Sequence, residues 1–124
     1  MANTCTHYLK YRDTRPTLTM TLYDADGSVY DLTGADAAWL HVRLTDGGVV
    51  SREMTSDFDD TGIVTYSWLA TDWTSDPALY PGTHKIEVEV LGPGTVRATF
   101  PNRDDSADVR NYLVIGGDAG QATA

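Results

Sequence analysis

In the run Thr83-His84-Lys85-Ile86-Glu87-Val88-Glu89-Val90-Leu91, His84, Ile86, Val88 and Val90 fall on one side and Lys85, Glu87 and Glu89 on the other. Successive side chains of an extended chain point to opposite faces, so this strict alternation is that of a strand with one buried and one solvated face. Gly92-Pro93-Gly94 then turns the chain into a returning strand over Thr95 to Phe100, which makes a hairpin.

The same period of two recurs upstream. Thr17 to Tyr23 sets Leu18, Met20 and Leu22 against Thr17, Thr19 and Thr21, and the turn Asp24-Ala25-Asp26-Gly27 predicts a short return strand over Ser28 to Leu32. Ala37 to Leu44 carries Ala38, Leu40, Val42 and Leu44 on one face and Trp39, His41 and Arg43 on the other. The aliphatic face is expected to point inward. Asp46-Gly47-Gly48 turns into a strand over Val49 to Met54, and a polar loop, Ser56 to Gly62, leads to Ile63 to Trp68, where Val64, Tyr66 and Trp68 share a face. Ala70 to Pro81 reads as a long connection between sheets with at most one helical turn, and Val109 to Ile115 as the last strand. No window keeps apolar groups at helical spacing. Seven or eight short strands separated by regular turn signals predict an all-β, antiparallel β-sandwich, with a small barrel as the alternative.

A chain of 124 residues fits one domain. Residues 17–115 form the expected sandwich. Residues 1–16, polar and aromatic, are either an arm that orders against another chain or a first edge strand, and the small-residue stretch 116–124 is expected to be a flexible tail. The formal net charge of -9 argues against a nucleic-acid partner, whose phosphates need clustered cations. No stretch reaches the roughly 20 apolar residues of a membrane helix, so no membrane partner is expected. Cys5 has no second cysteine to pair with, and Met1 to Lys10 lacks a basic region followed by an apolar run, so synthesis in the cytoplasm is expected.

Chemistry is hard to place on this sequence. His7, His41 and His84 lie on separate segments and are expected to be solvent-exposed or on edge strands. Cys5 with His7 offers at most two metal ligands. Asp57, Asp59 and Asp60 are a weak calcium candidate, with a hydrated loop as the simpler account. No Gly-x-Ser-x-Gly elbow is present, and Glu87 with Glu89 reads as an outward charged edge that resists aggregation. The expectation is therefore no catalytic residue, no bound metal, no cofactor and no enzymatic activity.

Four pieces read together carry more: Asp26-Gly27 with Asp31-Leu32-Thr33-Gly34-Ala35; Gly62-Ile63-Val64-Thr65-Tyr66-Ser67-Trp68 with Asp72; Gly82 to Val90 with Glu87; and Thr99-Phe100-Pro101-Asn102. In order and spacing they resemble the small immunoglobulin-like modules of tailed-virus particles, similar to the N-terminal domain of the phage upper baseplate protein. His41-Val42-Arg43 stands where that family has H-M-R, shifted by one residue, and His84 replaces its usual Tyr. The resemblance covers residues 17–115. It implies an immunoglobulin-like sandwich in a virion, other virion proteins as partners and a symmetric homo-oligomer in the particle, with no catalytic residues.

On that reading Tyr8, Tyr11, Arg12, Arg15, Trp39, His41 and Arg43 are the candidate partner-binding residues, since Tyr, Trp and Arg dominate interface energetics. Trp39 has the core as its alternative place. Baseplate or tail is the expected position, with capsid decoration or neck as the alternative. From another class stands a carbohydrate- or receptor-binding module with Trp39, Trp73 and Tyr80 as stacking platforms, the last two in the long connection.

Overall fold

The computed structural model describes residues 5–24, 27–75, 77–100 and 111–118. Eight strands form: β1 (Cys5–Tyr11), β2 (Leu18–Thr21), β3 (Ala37–Arg43), β4 (Val49–Met54), β5 (Ile63–Tyr66), β6 (Gly82–Leu91), β7 (Arg97–Phe100) and β8 (Asn111–Asp118), with a single 3₁₀ turn at Ala70–Trp73. The larger sheet runs β1-β8-β6-β3-β4, with β7 pairing β6 beyond β8, and the smaller is β2-β5. The protein is all-β, built as a sandwich-like pair of sheets.

Period-two patterning accounts for the layers. Leu40, Val42, Val50, Ile86, Val88, Val90 and Leu113 from the larger sheet meet Leu18, Met20, Val64, Tyr66 and Trp68 from the smaller side in one buried core. Each such side chain contributes about 1.5–3 kcal/mol by leaving water. The aliphatic face of β3 points inward as expected, since Ala38, Leu40, Val42 and Leu44 are all buried. Gly34 takes φ +84° two residues after the buried Leu32, a conformation that costs glycine little and other residues more.

Several expectations are corrected. The larger sheet is mixed, because β1 pairs parallel to β8 while the other pairs are antiparallel; β1 and β8 meet through the whole intervening fold, so no hairpin forces them antiparallel. The return strand over Ser28 to Leu32 shrinks to one bridge, Tyr23 with Val29. Beyond it the Tyr30 amide donates to the Leu22 carbonyl and the Leu32 amide to the Asp59 carbonyl, which draws the chain toward the β4–β5 loop instead. Residues 116–118, assigned to the tail, continue β8, where β1 offers ladder partners at Lys10 and Tyr11; residues 119–124 lie outside the described residues.

Glu87 and Glu89 are not on a sheet edge, since β6 is flanked by β3 on one side and by β7 and β8 on the other. His84 is fully buried rather than exposed, because the strand period turns it inward and the Tyr80 carbonyl, 2.8 Å away, accepts from its Nε2. Its Nδ1 is buried with no partner among the described residues.

Candidate contact surface

The long connection after β5 is fastened by a buried carboxylate. Asp72 has no exposed surface and accepts from Arg52 Nε at 2.6 Å, from the Tyr66 hydroxyl at 2.8 Å and from the Leu69 amide at 2.8 Å. The last bond caps the start of the 3₁₀ turn, as an acidic third residue does at a helix N-terminus. Burial first, then the Asp72 hydrogen bond and charge, push the Tyr66 phenol well above its ordinary range. The phenol thus stays a hydrogen-bond donor to Asp72, and the turn carrying Trp73 is fixed against β4 and β5.

That turn removes one expected glycan platform. Trp73 is only 6% exposed; its ring meets Tyr11 edge-on at 5.3 Å, and its indole Nε1 donates to the Asp13 carbonyl. Stacking a sugar needs an open ring face, so the assignment of Trp73 is corrected: it clamps the end of β1. Tyr80 is half-buried, with its hydroxyl 2.9 Å from Thr45 Oγ1 and accepting from the Asp46 amide. It too is tied down, and its ring packs edge-on to His84.

On the outward face of the larger sheet, Trp39, His41 and Arg43 stand in a row along β3. Trp39 is half-buried between Glu53 of β4 and Glu89 of β6. His41 lies 2.9 Å from Glu89 Oε1 through Nε2 and 2.7 Å from Ser51 Oγ through Nδ1. A carboxylate only accepts, so Nε2 is the donor toward Glu89, while the Ser51 hydroxyl can serve Nδ1 as either donor or acceptor. Arg43 donates to Glu87, and Arg97 of β7 pairs with Glu89. The His41 hydrogen bond, opposed next by burial and then aided by Arg97, holds the Glu89 carboxyl below its ordinary range.

Hydroxyl, imidazole and carboxylate in line invite a nucleophilic reading. Two features weigh against it. Glu89 shares its charge with Arg97, which weakens its hold on an imidazolium, and Ser51 is exposed on an open sheet face, where water competes for any developing oxyanion. The row is a cross-strand polar ladder whose pairs stabilise the sheet modestly.

The remaining candidates gather at β1. Tyr8 is 69% exposed on the outward side of this strand, which among the described residues pairs only with β8. Beside it lies a groove of about 440 Å³ lined by Tyr8, Leu9, Lys10, Asp13, Arg15, Pro16, Val114 and Gly116. Gly116 contributes to its depth, since a Cβ there would have only the Leu9 carbonyl oxygen near it, at 4.0 Å. Tyr11 turns inward onto Trp73, while Arg12, at φ +75°, lays its guanidinium 5.1 Å from the Tyr11 ring centroid. Of the seven contact candidates, then, Tyr8 and Arg15 line the groove, Tyr11 and Arg12 pack with Trp73 and each other, and Trp39, His41 and Arg43 stand apart in the ladder. Lys10 and Gly116 were not singled out from sequence; the cation-rich run Lys10, Arg12, Arg15 in an acidic chain was the available signal.

Asp57, Asp59 and Asp60 do not converge. Asp59 accepts from the amide and hydroxyl of Thr61, a local turn that satisfies the carboxylate and, Thr61's hydroxyl first, lowers its pKa. Among the described residues no three His, Cys, Asp or Glu side chains are grouped to hold a metal ion, and no helix is long and apolar enough to cross a membrane. Comparison with known proteins finds no matching family model, no similar curated protein and no matching solved structure.

β1 also responds to pH. Burial lowers the pKa of His7, so the folded chain takes up a proton on this ring less readily than the unfolded chain, which does so below about pH 6.5. Stability is therefore complete above the unfolded value and declines as pH falls through it. The thermal midpoint is expected to drop between pH 7.5 and 5.5, and to drop less in His7→Gln; equal drops in both proteins would show that His7 does not carry the effect.

Proposed function

We propose that this chain is a non-enzymatic structural protein of a tailed-virus virion, a baseplate or tail adaptor that works by contact with other virion proteins. The observation that carries the contact reading is the apolar groove beside the outermost strand β1, with Tyr8 exposed and Lys10 and Arg15 on its rim. Tyr and Arg around an apolar depression supply large contact area at low ordering cost. The virion assignment rests on the resemblance of residues 17–115, and capsid decoration or a neck position is the alternative within the same particle class. With Trp73 buried, the carbohydrate-binding reading loses one of its three platforms.

Mass spectrometry of gradient-purified particles tests the assignment. The chain is expected at a fixed copy number relative to the major virion proteins. Its absence from particles that retain the rest of their tail and head proteins would overturn the reading.

A further inference from the structure

Charge is distributed unevenly along the strand axis. β3 begins, and β4 and β6 end, at the same end of the larger sheet. β2 ends and β5 begins there too, because Leu22 bonds Gly62, Leu32 bonds Asp59 and Asp36 bonds Leu91. That end gathers Asp24, Asp31, Asp36, Asp57, Asp59 and Asp60, while its one described cation near the ladder, Arg97, is tied to Glu89. The groove lies at the opposite end, where β1 and β8 finish, and its rim holds Lys10 and Arg15 against a single acid, Asp13.

The acidic end also has an apolar patch. Tyr23 is 52% exposed, Val29 41% and Ile63 40%. They adjoin one another, since Tyr23 bridges Val29, Ile63 pairs with Thr21 two residues before Tyr23, and Gly62 lies against the Val29 side chain. Asp24, Asp31 and Asp60 surround them in sequence and are at least partly exposed. An apolar patch at the acidic end and an apolar groove with two cations and one acid at the other are complementary in both respects.

We infer that the groove of one copy receives the acidic end of a second copy, with Tyr23 and Val29 entering the trough while Asp24 and Asp60 approach Lys10 and Arg15. This rests on, and deepens, the reading of the chain as an assembly protein: it names the partner as the chain itself. The two surfaces lie at different ends of the molecule, so the contact is heterologous and repeats head to tail, closing into a ring or extending as a filament.

Sedimentation velocity and light scattering of the full chain over a wide concentration range provide the test. Mass is expected to rise with concentration at low salt and less so at high salt, because exposed charge pairs are screened. Gly116→Val fills the groove in a β-compatible way and is expected to weaken association roughly tenfold or more. Lys10→Glu/Arg15→Glu and Asp24→Lys/Asp60→Lys should each stay monomeric alone and associate when mixed, which also shows that both fold. A monomer at every concentration and salt, or association unchanged by these variants, would overturn the inference. A chain found in particles but monomeric alone would sink this inference and leave the virion assignment standing; a self-associating chain absent from particles would do the reverse.

Discussion

Asp72→Ala is expected to cost about 3–5 kcal/mol of folding stability, the range seen when one partner of a buried ion pair is removed. The carboxylate accepts from three donors on three parts of the chain: the Arg52 guanidinium, the Tyr66 hydroxyl and the Leu69 amide. Deleting it leaves a guanidinium whose side chain is only 25% exposed and a buried phenol, both without their acceptor. Desolvation of donors left in this way, more than loss of the bonds themselves, sets the cost. Asp72→Asn keeps one acceptor oxygen but no charge and should fall between wild type and Asp72→Ala. Tyr66→Phe removes one bond and should cost about 1 kcal/mol. Against a typical domain stability of about 5–15 kcal/mol, the alanine variant should show a much lower urea midpoint with an unchanged slope. A loss below about 1 kcal/mol would mean that the node is solvated and does not hold the turn.

Where the strand period was long and regular, the sequence sufficed. β3, β4 and β6 lie where alternation puts them, and Val64, Tyr66 and Trp68 share a buried face as their spacing implies. His84 shows two cues in conflict: its period placed it with Ile86 and Val88, its chemistry placed it in solvent, and the period prevailed because the Tyr80 carbonyl lay within reach. What stayed hidden were meetings between distant parts of the chain. Nothing local in Cys5–Tyr11 or Asn111–Asp118 signals that they pair in parallel. Trp73 looked available because it stands in a polar loop, and only the fold brings it to Tyr11 and the Asp13 carbonyl.

The same holds for charge. Arg52 and Asp72, twenty positions apart, pair only because β4 and the 3₁₀ turn bring them to 2.6 Å, and Lys10 and Gly116 belong to one groove only because β1 and β8 are neighbours. Residue type along the chain gives the face a side chain takes. Which partner that face meets depends on loop closures and on strand order, and these are fixed by the core as a whole.

Trp68→Ala carries the second large effect, about 3–5 kcal/mol, as for other buried Trp-to-Ala changes that leave a cavity. Trp68 follows β5 and is almost fully buried, packed edge-on against Tyr66 with ring centroids 5.1 Å apart. Just after Trp68 the chain enters the 3₁₀ turn fixed by Asp72, which limits how far its backbone can move to close the space. Trp68→Phe keeps an aromatic edge for Tyr66 and should cost about 1–2 kcal/mol, the order expected for a smaller loss of volume. Tyr66 touches both Trp68 and Asp72, so the two alanine changes should couple: a double variant is expected to lose less than the sum of the singles by about 0.5–3 kcal/mol. Additive losses would mean that the aromatic pair and the ionic node act as separate supports. Subadditive losses would identify Tyr66 as the link through which the smaller sheet and the long connection are held as one unit.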